Sequence, residues 1–130
     1  MIEFNGWVTL ALSTDGDGEE GIIAAVKELS PLVNQLRTQG SFPFIEARNG
    51  RYYLHLSGAA NHNGTDWEET QQLLHQVATR FPGAYGAVYL RDDEDQQGRE
   101  NAFSVFLVRR GTVESVLDTL LSPCSPVIED

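Results

Sequence analysis

Alternating side chains mark the first predicted element of the chain. Trp7 and Thr9 fall on one side of an extended backbone, and Val8 and Leu10 fall on the other. Because successive side chains of a strand point to opposite faces, this alternation predicts a strand over residues 6–13.

Helical spacing follows the first strand. Apolar residues recur at intervals of four and three, as on one face of a helix: Ile22, Val26, Leu29, Val33 and Leu36. Glu19 and Glu20 precede them, and carboxylates interact favourably with the positive end of the helix dipole. Pro31 lacks a backbone N–H, but the apolar face keeps its phase across it, which predicts one kinked helix ending near Gly40.

A hairpin is predicted around Asn49-Gly50. These two residues separate the strand-like runs 44–48 and 51–57. Both tolerate the positive φ of a type I′ turn, so the pair joins two antiparallel strands. We expect residues 58–64 to form a loop.

A second helix is predicted to begin after Thr65. Thr65 and Glu68 have the spacing of a capping box, with Thr65 as N-cap and Glu68 reaching back to it. Pro82-Gly83 ends this helix. The side chains predicted to point inward are those of Trp67, Leu74, Val77, Ala78 and Phe81.

The last third of the chain contains two more strands, over residues 85–91 and 102–109, joined by the polar loop 92–101. Residues 112–117 either pair or coil. The tail contains too much proline for a helix, so we expect it to lie extended across the body of the protein. Its predicted anchors are Leu120, Leu121, Val127 and Ile128.

The predicted order of elements is therefore β-α-β-β-α-β-β, in a single domain over residues 1–130. Strands that alternate with helices favour right-handed crossover connections. We predict an α+β fold, a ferredoxin-like sandwich with one mixed sheet, two helices on one face, an added edge strand and an extended C-terminal tail.

The net charge of the chain indicates which classes of partner to expect. Nine Lys and Arg residues stand against nineteen Asp and Glu, which gives a formal net charge of −10. Such a field repels nucleic acids and anionic membranes and attracts basic surfaces. The lone Cys124, the absence of a basic N-terminal segment and the lack of a membrane-spanning apolar run lead us to expect a cytoplasmic protein.

Patterns for catalysis or metal binding are weak. Residues 15–26 begin like a calcium loop, but position six is Glu20 and position twelve is Val26, where glycine and glutamate are required. The histidines have no ligand spacing, and Cys124 lies between two prolines away from any helix start. We therefore predict no catalytic residue, no metal and no cofactor. The histidines are His55, His62 and His75.

Adjacent acids distinguish the loop at residues 92–95. Four neighbouring carboxylates with few basic neighbours repel one another, so folding is not expected to gain from the grouping. The loop either solvates the end of a hairpin or anchors a basic partner. We predict partner binding by Asp92, Asp93, Glu94 and Asp95, with Asp15 and Asp17 as a second patch.

Four segments carry a family resemblance: residues 3–7 (EFNGW), 89–94 (YLRDDE), 108–111 (VRRG) and 121–130 (LSPCSPVIED). The segment at residues 121–130 is the most specific. Together the segments resemble the Imm7 family of immunity proteins from bacterial polymorphic-toxin and contact-dependent inhibition systems, and the match spans nearly the whole chain in the same order. The resemblance implies an α+β protein that binds a toxin domain and blocks it, with no catalytic residues to transfer and no named toxin.

Two functions follow as hypotheses. The favoured one is an immunity protein that binds a toxin domain with a basic surface, expected to be a nuclease, and occludes its substrate site. The alternative is a small ferredoxin-like enzyme or ligand-binding regulator, which requires a concave pocket with converging polar groups around His55 or Cys124.

Overall fold

The computed structural model describes residues 1–13, 18–60, 65–95 and 98–121. Within these ranges the chain forms an α+β fold, as predicted. Its elements are β1 (Ile2–Leu10), α1 (Glu19–Gln35), β2 (Phe44–Arg48), β3 (Arg51–Ala60), α2 (Asp66–Arg80), β4 (Tyr85–Asp92), β5 (Ser104–Arg109) and β6 (Thr112–Leu117).

The strands form one open sheet in the order β2-β3-β1-β4-β5-β6, and every neighbouring pair is antiparallel. The predicted mixed sheet is therefore wrong. The helical connections do join parallel strands, β1 to β2 and β3 to β4. Each of these pairs is separated by a strand that runs the other way, so no parallel strands become neighbours. The ferredoxin-like topology stays a prediction.

Both helices cover the same face of the sheet, which we call the inner face. Alternate strand residues, including Val8, Leu54 and Val88, meet both helices in one buried cluster. Trp67 of α2 belongs to this cluster, and its ring centroid lies 5.2 Å from that of Phe4 and 4.9 Å from that of Phe106. Burying such large apolar side chains is the main source of stability in a domain of this size.

The first helix is continuous through Pro31, which confirms the prediction of one helix. Its predicted apolar face is buried as far as Val33. The helix ends at Gln35, earlier than predicted, where the N–H of Leu36 donates to the carbonyl of Val33 at 3.2 Å and the N–H of Arg37 donates to that of Asn34 at 3.3 Å. This tight final turn ends the helix before Gly40 is reached.

The first strand begins and ends earlier than predicted. It starts at Ile2 because Glu3 and Asn5 alternate with the buried Phe4, a pattern in which polar residues occupy the solvent side. As predicted, Trp7 lies on the opposite face from Val8 and Leu10. Val8 and Leu10 are buried on the inner face, whereas Trp7 is exposed.

The hairpin at Asn49-Gly50 is confirmed, with φ of 52° and 76° at the two turn residues. Its second strand runs on to Ala60, so the predicted loop at residues 58–60 is wrong. Gly58 lies against the ring of Phe4, and a Cβ there would come within 2.3 Å of it. The glycine thus serves close packing inside a strand.

The second helix begins after Thr65 as predicted, but the capping box is wrong. Thr65 makes no side-chain cap hydrogen bond, and its hydroxyl donates instead to the carboxylate of Glu69 at 3.3 Å. All the side chains predicted to point inward are buried, and so are Thr70 and Leu73. The helix ends at Arg80, before Pro82-Gly83.

Residues 112–117 pair with β5, which makes a sixth strand. The turn between them uses Arg110 and Gly111, both with positive φ. Beyond β6, Leu120 is 86% exposed and Leu121 57% exposed, so the predicted anchoring by Leu120 is wrong. Val127 and Ile128 lie outside the described residues.

Candidate functional site

The opposite side of the sheet, which we call the outer face, has no helix packed on it within the described ranges. Three of its aromatic side chains remain about half exposed: Trp7 at 45%, Phe44 at 42% and Tyr85 at 47%. Single exposed apolar residues are ordinary on a protein surface, but a contiguous patch of them marks an interaction site.

Strand register brings these aromatic side chains together. Trp7 lies between His55 of β3 and Ala87 of β4, and Thr9 lies between Tyr53 and Tyr85. The rings of Trp7 and Tyr85 meet edge to face with centroids 6.2 Å apart. Because these partners come from three strands distant in sequence, the patch exists only in the folded chain.

An open cleft of about 320 Å³ lies in this patch, and we call it the aromatic cleft. Its lining combines aromatic rings with one carboxylate, one guanidinium and one imidazole. The lining residues are Trp7, Thr9, Glu46, Arg48, Tyr53, His55 and Tyr85.

The carboxylate of Glu46 organises the polar side of the aromatic cleft. It accepts a hydrogen bond from Nη2 of Arg48 and lies 3.4 Å from Nε2 of His55. The guanidinium carbon of Arg48 is 5.9 Å from the ring centroid of Tyr53, within the range of a cation–π contact. His55 is stacked on Phe44 at 4.7 Å. The arrangement can bind a cation between a carboxylate and aromatic faces.

A second cleft of about 250 Å³ lies nearer the start of β1. Tyr89 and Phe103 line it, with their rings edge to face at 5.6 Å, and Leu121 closes one side. Charges beside the clefts are paired within the chain. Glu3 lies 3.6 Å from Arg91, and Arg109 of β5 lies 3.1 Å from Glu114 of β6.

The predicted acidic residues lie at the end of β4 and in the turn after it, which we call the acidic turn (residues 92–95). Asp92 accepts a hydrogen bond from the backbone N–H of Glu94 at 3.0 Å, and Asp95 accepts one from the N–H of Arg99 at 3.0 Å. Asp93 forms an ion pair with the amino group of Met1. Three of the four acids thus make contacts within the chain, and the expectation that folding gains nothing from grouping them stays a prediction.

The ion pair between Met1 and Asp93 shifts the pKa of both groups. The hydrogen bond from the amino group lowers the pKa of Asp93 below its ordinary value, and the same bond raises the pKa of the amino group. Asp93 and Glu94 still leave 39% and 53% of their side-chain surface exposed. The acidic turn is thus accessible to a partner.

The acidic turn adjoins the outer face. Asp92 pairs with Ile2, and Arg91 on the outer face pairs with Glu3. Trp7 lies five positions after Ile2 in β1, which corresponds to about 17 Å along a strand. Asp15 and Asp17, the second predicted patch, lie outside the described residues, as do His62 and Cys124.

Neither a metal site nor a membrane span emerges from the residues that the structure describes. In those ranges no three side chains of His, Cys, Asp or Glu come together as metal ligands. No helix there is long and apolar enough to cross a membrane.

The aromatic outer face was missed by the sequence reasoning. The alternation of Trp7 and Thr9 showed that one side of β1 differs from the other, and Tyr53 and Tyr85 carry the same signal in their own strands. What the sequence lacked was the register that places these three strands side by side. The predicted hairpin supplied only the pairing of β2 with β3.

Comparison with known proteins gives one family. The family model of Imm7, described as Immunity protein 7, matches residues 1–130. The chain has no significant match among curated proteins or among solved structures.

Proposed function

The chain belongs to the Immunity protein 7 family, and from that premise we propose that it neutralises a cognate toxin domain by covering the toxin's substrate site. The match over the whole chain is the observation that carries this proposal. The family implies a toxin as partner and is generally non-enzymatic.

Charge supports a nuclease as the toxin. An enzyme that cuts nucleic acid presents positive charge to a phosphate backbone. A chain with a net charge of −10 is attracted to the same surface and competes with the nucleic acid for it. We propose that this competition takes place in the cytoplasm, where the nucleic acid is.

The acidic turn is the proposed charged part of the interface. Its members are Asp92, Asp93, Glu94 and Asp95, and the second proposed patch is Asp15 and Asp17. Asp93 and Glu94 keep 39% and 53% of their side-chain surface exposed, and both carboxylates lie within 4 Å of the amino group of Met1. Exposed acids of this kind accelerate association with a basic partner more than they add to affinity.

Co-expression tests the proposal. The cognate toxin domain, sought among the genes next to that of this chain, is expressed alone and together with the chain, and growth is followed. We expect growth to stop with the toxin alone and to resume with the chain. A purified complex in which the toxin no longer cleaves nucleic acid would support occlusion of a nuclease. Failure of the chain to restore growth would contradict the proposal.

A ligand-binding or enzymatic role is the second candidate, and the aromatic cleft is the observation that favours it. The cleft brings His55 within 3.4 Å of Glu46, which is the pairing of a general base with its orienting carboxylate. His55→Gln separates the two candidates. It should abolish an activity that uses the imidazole, whereas binding of the toxin needs no proton transfer, so protection should be weakened at most and not abolished.

A further inference from the structure

We propose that the aromatic cleft is the centre of the toxin-binding surface and takes up a basic side chain, an arginine or a lysine, that the toxin presents. This inference rests on the proposed function and adds the surface and the chemistry of the contact. It follows from three properties of the outer face.

The first property is the exposed aromatic area around the cleft. Trp7 and Tyr85 leave nearly half of their surface uncovered, although their neighbour Thr9 is buried beneath them. Tryptophan and tyrosine are enriched at the centres of protein interfaces, where they contribute most of the binding energy. Folding alone gives no reason to keep such side chains open to water, since the inner face already supplies the core.

The second property is that the cleft already holds a guanidinium. Arg48 reaches from the end of β2 to the carboxylate of Glu46 and to the ring of Tyr53. This contact shows that the carboxylate and the ring can bind a cation together. Arg48 itself is 64% exposed at its side chain and lies beside the Asn49-Gly50 turn, so it can move aside for a cation of the partner.

The third property is charge complementarity on a larger scale. The cleft and the acidic turn lie at opposite ends of β1, about 17 Å apart by strand geometry. An interface of ordinary size, about 800 Å² on each partner, covers both. A basic toxin surface would therefore meet an aromatic centre with one carboxylate and an acidic edge beyond it.

Two substitutions with opposite expected effects test this inference. Binding is measured by calorimetry with the purified, catalytically inactive cognate toxin domain. Glu46→Gln removes the charge that meets the incoming cation, so affinity should fall by at least about tenfold. Arg48→Gln removes the cation that competes for Glu46, so affinity should rise by up to about fivefold, the size of an exposed ion pair.

Glu28→Gln is the matched control, since Glu28 is exposed on α1 and away from the outer face. It should leave affinity unchanged, and all three variants should melt as the wild type does. A purely structural role for the ion pair between Arg48 and Glu46 predicts that both of its variants weaken binding and lower the melting temperature, which would overturn the inference.

The remaining outcomes are also decisive. If the wild type binds the toxin and Glu46→Gln binds equally well, the inference fails and the proposed function stands. If the wild type does not bind the toxin, both fail. If sedimentation shows that the wild type self-associates and that Glu46→Gln abolishes the association, the occupant is a second copy of this chain and the inference is overturned.

Discussion

The chain has two tryptophans, one on each face of the sheet, and their surroundings differ. Trp67 on the inner face is 8% exposed and contacts two phenylalanine rings. Trp7 on the outer face is 45% exposed and meets only Tyr85 edge to face among the described rings. The inner aromatic cluster is closed by helices, whereas the outer one is open and carries polar groups at its edge.

This difference indicates a division of roles between the faces. A fully enclosed aromatic residue has already gained the free energy of burial on folding, and it leaves little surface for a partner to cover. An aromatic residue left half exposed still has nearly half of that free energy to gain, and a partner that covers it supplies this part. The inner face should therefore control stability, and the outer face should control binding.

Removing the inner tryptophan should have the largest effect. Trp67→Ala leaves a cavity between Phe4 and Phe106, and such truncations reduce the free energy of unfolding by about 3–5 kcal/mol. Urea unfolding of the variant beside the wild type measures this loss. A loss below about 1 kcal/mol, the size of an ordinary substitution, would contradict the assignment of stability to the inner cluster.

Removing the outer tryptophan should affect binding instead. Trp7→Ala should weaken toxin binding by about 30-fold or more, as expected for an aromatic residue at the centre of an interface. Its free energy of unfolding should fall by only about 1 kcal/mol, the worth of one aromatic pair. Calorimetry measures the affinity for the toxin, and urea unfolding of the same preparation measures the free energy of unfolding. A variant that unfolds easily yet binds normally would reverse the assignment of the two faces.

Neutralising the acidic turn should have a smaller effect, and mainly on the rate. The variant with amides in place of Asp92, Asp93, Glu94 and Asp95 keeps the oxygen acceptors that hold the turn, so its melting temperature should stay close to that of the wild type. Its association rate at low salt should fall by about tenfold, because exposed charges steer encounter. At high salt the two rates should converge, since screening acts over about 8 Å at physiological ionic strength. Equal rates at low salt would show that these acids only solvate the turn.

The smallest effect concerns the ion pair of Met1 with Asp93 in the chain that begins at Met1. The pKa of Asp93 is lowered from 3.8, so its contribution to stability is present above that pH and is lost as the pH falls through the folded value. The pKa of the amino group is raised from 8.0, so its contribution is present below that pH and is lost as the pH rises through the folded value. The melting temperature of the wild type should be highest between these two pH limits. Asp93→Asn should remove this increase. An unchanged profile in Asp93→Asn would contradict a stabilising pair.

Local signals in the sequence predicted the elements well, for physical reasons that particular residues show. The Asn49-Gly50 turn depends on the φ preferences of two residues, and the apolar face of α1 depends on spacing within one helix. The aromatic cleft depends on contacts among Trp7, Tyr53 and Tyr85, which no local pattern encodes. The mixed sheet was predicted wrongly for the same reason, because the position of a strand in a sheet is set by pairing over long distances in sequence.

Fluorescence quenching of Trp7 in the complex tests the central claim most directly. Trp67 is buried, so acrylamide should quench chiefly Trp7 in the free chain, and Trp7→Phe should remove that accessible fraction. A toxin domain without tryptophan, or with its tryptophans replaced by phenylalanine, keeps the signal specific. Saturation with the toxin should protect Trp7 to the level of the Trp7→Phe control. If Trp7 stays as accessible in the saturated complex as in the free chain, the outer face is not the surface that the toxin covers.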